Sequence, residues 1–162
     1  RVTGDCPYIS KEISNYLLKK HFETGADFTE AKSMPIGAGC QIINVEALKR
    51  VISYNKKALL SEYMNIYFTN NQNLFKINSV DLPSWMIRDY RLTVDYHQDI
   101  VFFKKIYSFF NKKKKIFNLK NLLIFLDKNK KIRDINSNLK LKYKTDKNLI
   151  KKLLKETKIN AI

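Results

Sequence analysis

Two apolar periods alternate along the first hundred residues, and this alternation constrains the fold more than any other feature of the chain. Strands repeat their apolar positions every second residue and helices every three to four, so a chain that switches between the two builds a sheet covered by helices. Arg1-Val2-Thr3 reads as the end of a strand, and Gly4-Asp5-Cys6-Pro7 as the turn after it. Ser10 caps a helix to about residue 23, with Ile13, Leu17 and Phe22 on its buried side and Gly25 as its stop. Residues 26–29 suit a short strand. Pro35-Ile36-Gly37-Ala38-Gly39 then leads into the strand-like Cys40-Gln41-Ile42-Ile43. Asn44 caps a second helix that places Val45, Leu48, Val51 and Ile52 together, and a third, over residues 58–69, gathers Leu60, Tyr63, Met64 and Tyr67. Residues 75–79 and 90–95 alternate as strands. A helix over residues 96–110 buries Ile100, Phe103, Ile106, Tyr107 and Phe110. Residues 1–110 therefore form an α/β domain.

Residues 111–162 read as a basic helical extension packed on that domain. Its helices cover about residues 119–127 and 146–157. In the last one, Leu149, Ile150, Leu153 and Leu154 face one way and Lys147, Lys151, Lys152 and Lys155 the other. Such a helix docks on its own domain or lies on a membrane surface. The longest apolar runs, residues 100–103 and 122–126, fall far short of the ~20 residues of a membrane span. An apolar fraction of 44% is enough to build a core, and four Gly and three Pro exclude collagen-like and linker classes.

The charge is partitioned. Residues 1–103 carry 12 Lys/Arg against 11 Asp/Glu, and residues 104–158 carry 19 against 4. A basic third invites a nucleic-acid or anionic-surface partner. Yet 26 of the 31 basic residues are Lys, whereas specific readers of bases and phosphates favour the Arg fork. Lys, Asn and Ile, all with A/T-rich codons, make up 60 of 162 residues, which gives a solvated lysine face an origin unrelated to binding. Cys6 and Cys40 form no disulfide framework and no zinc spacing, and fit two reduced thiols in a cytoplasmic protein.

Chemistry concentrates where strands end on carboxylates. Asp5 follows Arg1-Val2-Thr3-Gly4 and Asp95 follows Arg91-Leu92-Thr93-Val94. Ligands of open α/β sheets bind outside the carboxyl ends of the strands, where two carboxylates can hold Mg²⁺. Each has a structural alternative. Asp5 suits an Asx-turn, and Asp95, with Gln98 three residues on, suits a helix cap. Gly37 and Gly39 form no nucleotide-binding fingerprint and suit a backbone turn. Glu62 reads as a surface residue beside an apolar face, and Asp99 as a solvated or dipole-pairing residue of the first helical turn. His21 lies near a helix C-terminus, which favours an imidazolium; His97 has no evident partner.

Taken in order, these segments resemble a family. Arg1-Val2-Thr3-Gly4-Asp5-Cys6-Pro7 resembles the R-x-T-[AG]-D-C-P segment of bacterial cytidylyltransferases of the spore-coat-polysaccharide type. Pro35-Ile36-Gly37-Ala38-Gly39-Cys40, followed by Ala47-Leu48, is similar to that family's P-x-G segment and its A-L helix, and Leu74-Phe75-Lys76-Ile77 to its x-F-x-I strand. Arg91-Leu92-Thr93-Val94-Asp95-Tyr96-His97-Gln98-Asp99-Ile100 resembles R-x-T-V-D-x-P-E-D-L, the most specific of the set, and Ile135-Asn136 matches a late I-N. The likeness covers nearly all of residues 1–136.

It implies a nucleotide-diphospho-sugar transferase fold, a GT-A-like, Rossmann-like mixed sheet with flanking helices. It also implies transfer of CMP from CTP to a sugar, Mg²⁺ held by Asp5 and Asp95, and Glu62, Gln41 and Gly37 on the substrate side. Relatives are often dimers. The departures are Ser61-Glu62-Tyr63 in place of Arg-Glu-His, Gln41 in place of a Glu, and His97-Gln98 in place of Pro-Glu. The family's opening strand and base-binding glycine loop have no counterpart in these residues, so the expectation is the C-terminal portion of a longer enzyme, inactive by itself. Two other functions remain open: a basic module that binds nucleic acid or an anionic surface without catalysis, and a glycosyltransferase-like protein of the same fold.

Overall fold

The structure is a computed structural model that describes residues 1–54 and 60–159. It is α/β, with a small mixed sheet between two helical layers. Ser10 opens α1 (Lys11–Thr24), its hydroxyl accepting from the Ile13 N–H, and Gly25 closes it in the left-handed conformation with φ of 58°. The chain then enters β1 (Phe28–Ala31), the central strand. β2 (Ile42–Ile43) lies antiparallel to it, with Phe28 opposite Ile43. β3 (Ile77–Val80) lies parallel on the other side, from Phe28 opposite Ile77 to Ala31 opposite Val80. The parallel pair requires a crossover, which α2 (Val45–Tyr54), a single 3₁₀ turn (Ser61–Tyr63) and α3 (Met64–Thr69) supply. The expected start of that third helix, near residue 58, lies outside the described residues.

Alternation along β1 assigns the layers. Phe28 points into a cluster with Ala47, Val51, Tyr67, Phe68, Phe75 and Ile159. Thr29 points the other way, toward His21 of α1. On that second side the larger core joins Ile13 and Leu17 of α1 to Phe102, Phe103, Ile106 and Phe110 of α4 (His97–Lys112), and to Leu119, Leu122, Leu123, Phe125 and Leu126 of α5 (Leu119–Lys128). The chain continues through α6 (Lys130–Arg133), α7 (Lys142–Thr145) and α8 (Lys147–Glu156). Asp146 caps α8, accepting from the N–H groups of Asn148 and Leu149. α8 docks on the chain's own α/β body: Leu153 is 1% exposed, Asn70 Nδ2 donates to Leu154 O (2.8 Å), and Asn71 bonds Thr157 O and the Ile159 N–H. Lys147, Lys151, Lys152 and Lys155 face solvent.

Several expected positions are corrected. Phe22 is 76% exposed, because α1 buries the stripe Ile13, Leu17, His21 at intervals of four. Val45, Ile52 and Ile100 are also exposed; α2 instead buries Ala47 and Val51 against the Phe28, Phe68 and Phe75 rings. His21 is buried with Nδ1 2.9 Å from Thr29 Oγ1. Burial, against the pull of Asp27, lowers its pKa, so the ring is neutral rather than the expected imidazolium. Residues 90–95 form no strand beyond one parallel bridge, Ile36 to Arg91. Arg1-Val2-Thr3 is likewise outside any ladder. β2 and β3 occupy both edges of β1, so these two segments pair with loops instead.

No described helix is long and apolar enough to cross a membrane. Among the described residues both cysteines are free thiols.

Candidate functional site

Three loops, residues 1–7, 34–41 and 90–96, are stitched together by the hydrogen bonds that a sheet would otherwise have taken. Ile36 N–H donates to Tyr90 O (2.8 Å) and Leu92 N–H to Ile36 O (2.6 Å). Gly37, with φ of 82°, sits so close to this crossing that a Cβ there would lie 2.5 Å from Leu92 O. Only glycine tolerates both the positive φ and the approach. The Gly37 of the expected substrate-side set is thus placed against the backbone of Leu92 and Thr93.

The first loop joins the third through Asp5. Val94 N–H donates to Asp5 O (2.7 Å), and Thr93 Oγ1 lies 3.1 Å from both that carbonyl and Asp5 Oδ2. Cys6 Sγ approaches Asp5 Oδ1 at 3.6 Å. Asp5 is thereby fixed beside the residue that precedes Asp95. Burial pushes its carboxyl upward, but hydrogen bonds from Thr3, its own backbone, Thr93 and Cys6 outweigh this and leave it below its ordinary value, ionised at neutral pH.

Asp95 does not cap α4. Its carboxylate pairs with Arg91, whose side chain is 3% exposed. Arg91 also forks onto Asp99, Nε to Oδ1 at 2.9 Å and a terminal nitrogen to Oδ2 at 3.1 Å. Asp99 is the residue that serves the helix start. It is fully buried and accepts from the N–H groups of Asp95 and Tyr96, both at 3.0 Å, and from Asn136 Nδ2 at 2.8 Å. Burial raises its pKa, yet Arg91 and these donors hold the carboxyl below its usual value. A buried charge persists only with this degree of pairing. Of the two expected readings of Asp99, solvated or dipole-pairing, the structure shows the second: the carboxylate is buried at the helix start and accepts from backbone N–H groups there. Sequence reading missed Arg91 and Asn136 as site residues, although the four-residue spacing of Arg91, Asp95 and Asp99 is the signal of one clasp.

Gln41 and Glu62 meet at Arg1. One guanidinium nitrogen of Arg1 donates to Gln41 Oε1 (2.9 Å) and another to Glu62 O (2.6 Å). Gln41 Nε2 reaches Glu30 at 3.4 Å, and burial, opposed by Gln41 and Lys144, raises the Glu30 carboxyl. Glu62 lies on the 3₁₀ turn, not on a longer helix, with its side chain exposed.

No group of three or more His, Cys, Asp or Glu that could hold a metal occurs among the described residues. The donors that Asp5 and Asp95 offer are two hard oxygen ligands. Such a pair would be of the donor type that Mg²⁺ takes, one or two carboxylates beside its waters and substrate phosphates. Thr93 engages Oδ2 of Asp5 and Arg91 engages Oδ2 of Asp95, which fixes both carboxylates in orientation.

No family model and no solved structure matches the chain. The chain is 32% identical to an uncharacterized protein of Methanocaldococcus jannaschii over 149 residues, 88% of this chain and 58% of that protein. It is 26% identical to the spore coat polysaccharide biosynthesis protein SpsF of Bacillus subtilis over 112 residues, 67% of this chain and 46% of that protein. It thus spans about half the length of these curated relatives. The similarity to SpsF is distant, and it agrees with the type of protein that residues 1–136 resemble.

Proposed function

We propose that the chain is part of a Mg²⁺-dependent cytidylyltransferase-like enzyme of GT-A-like fold that transfers CMP from CTP to a sugar for surface polysaccharide synthesis. The observation that supports this most is the Val94 N–H bond to Asp5 O, which sets Asp5 next to the segment ending in Asp95. The distant similarity to SpsF supports the same reading.

In the proposed reaction a sugar oxygen forms a bond to the α-phosphorus of CTP, the α–β phosphoanhydride breaks, and pyrophosphate leaves. Bound Mg²⁺ supplies charge neutralisation on the phosphate oxygens. Asp5 and Asp95 would hold the ion. Arg91 orients Asp95, and Thr93 orients Asp5. Arg1 brings Gln41 and Glu62 together on the sugar side, and Gly37 allows the loops to close on one another.

The test is Mg²⁺-dependent pyrophosphate release from CTP by the natural gene product in the presence of acidic sugars. Asp5→Asn and Asp95→Asn should each lower the rate by at least about 100-fold, the scale of losing one transition-state electrostatic contact, with the fold intact. A rate in either variant equal to that of the unsubstituted enzyme would overturn the assignment. Turnover of a preformed nucleotide sugar, without pyrophosphate release from CTP, would favour a glycosyltransferase of the same fold.

A further inference from the structure

We infer that Asn136, contributed by the C-terminal third, is a positioning residue for Asp95, acting through Asp99 and Arg91. The inference rests on the reading of Asp95 as a metal carboxylate. It begins from the chemistry of the amide. A primary amide offers two N–H donors in one plane, and here Nδ2 serves two acceptors: Arg91 O at 3.1 Å and Asp99 Oδ1 at 2.8 Å. Asn136 is buried and lies 37 and 45 positions from these partners in sequence. It therefore ties the backbone at the start of the clasp to the carboxylate at its centre.

Asp99 distributes that constraint. Its Oδ1 receives Arg91 Nε and Asn136, and its Oδ2 receives Arg91 and the N–H groups of Asp95 and Tyr96. Arg91 in turn pairs with the Asp95 carboxylate. Both the backbone and the side chain of Asp95 are thus referred to one buried carboxylate, whose remaining side-chain donor is Asn136. Packing sets the position of Asn136: α5 places five buried apolar residues in the larger core, and Ile132 and Ile135 pack against that core on the way to residue 136. Truncating Asn136 leaves Arg91 O and Asp99 Oδ1 each short of a donor while touching neither Asp5 nor Asp95.

The test compares the chain with Asn136→Ala and Asn136→Ser by amide hydrogen exchange and by Mn²⁺ titration. Exchange at the Asp95 and Tyr96 amides should speed up by about tenfold or more in Asn136→Ala, while the β1 and β3 amides keep their protection. Mn²⁺ affinity should fall by ~10–100-fold, the usual effect of losing a group that orients a metal ligand. The hydroxyl of Asn136→Ser should restore part of both. Unchanged exchange at residues 95 and 96, or equal acceleration everywhere, would overturn the inference. If Asn136→Ala does not fold, the Asn136→Ser comparison decides on the same criteria. Failure of the unsubstituted chain to bind Mn²⁺ would count against the metal reading, while the exchange result still decides whether Asn136 positions Asp95.

Discussion

At the scale of single residues, Gly37 holds a conformation that the loop crossing depends on, and His21 a protonation state that the packing of α1 on the sheet depends on. Gly37 lies at the crossing of two loops with a positive φ, and the atoms nearest a Cβ there are backbone atoms of Leu92 and Thr93, which cannot swing aside. Gly37→Ala should cost about 1–3 kcal/mol, read as a lower urea midpoint; an unchanged midpoint would mean the loops do not approach so closely. His21 is buried with a lowered pKa. The unfolded chain, with an ordinary histidine value of about 6.5, takes up the proton first. The stabilising effect of the neutral ring is therefore complete above that value and is lost as pH falls through the lowered folded one. Urea titrations across this interval should show stability falling with pH in the native chain and a shallower fall in His21→Gln. Equal slopes would assign the dependence to other groups.

At the scale of elements, legibility followed how local the deciding signal was. α1 was readable at both ends because Ser10 and Gly25 act within one turn of themselves. Asn44 marked α2 for the same reason: its amide oxygen accepts from the Glu46 N–H two residues on. The segment at residues 90–95 was misread because alternation reports burial on two faces, not the presence of a paired edge. Its neighbours are Ile36 and Asp5, both in loops. Asp99 was legible as an acceptor of the first helical turn, but its burial was not, because a carboxylate there looks the same in sequence whether water or Arg91 faces it. Docking of α8 yields a direct prediction. Leu153 is fully enclosed, so Leu153→Ala should lose about 2–5 kcal/mol in urea unfolding. A loss below about 1 kcal/mol would show that α8 does not pack on the body in solution.

At the scale of the whole molecule, two cores on either side of a three-stranded sheet hold three loops in register, and the C-terminal third completes the structure beneath them. The net charge of +16 lies mainly on that third, yet the residue it donates into the Arg91–Asp99 clasp is the neutral Asn136. The proposed function stands or falls with Asp5 and Asp95 forming one divalent-cation site. The most direct measurement is paramagnetic broadening of amide resonances by Mn²⁺ titrated into the chain and into its Asp5→Asn and Asp95→Asn variants. Residues 4–6 and 94–96 should broaden first and together, and either substitution should abolish this while leaving the remaining spectrum in place. Broadening of only one of the two loops, or a pattern that survives both substitutions, would contradict it.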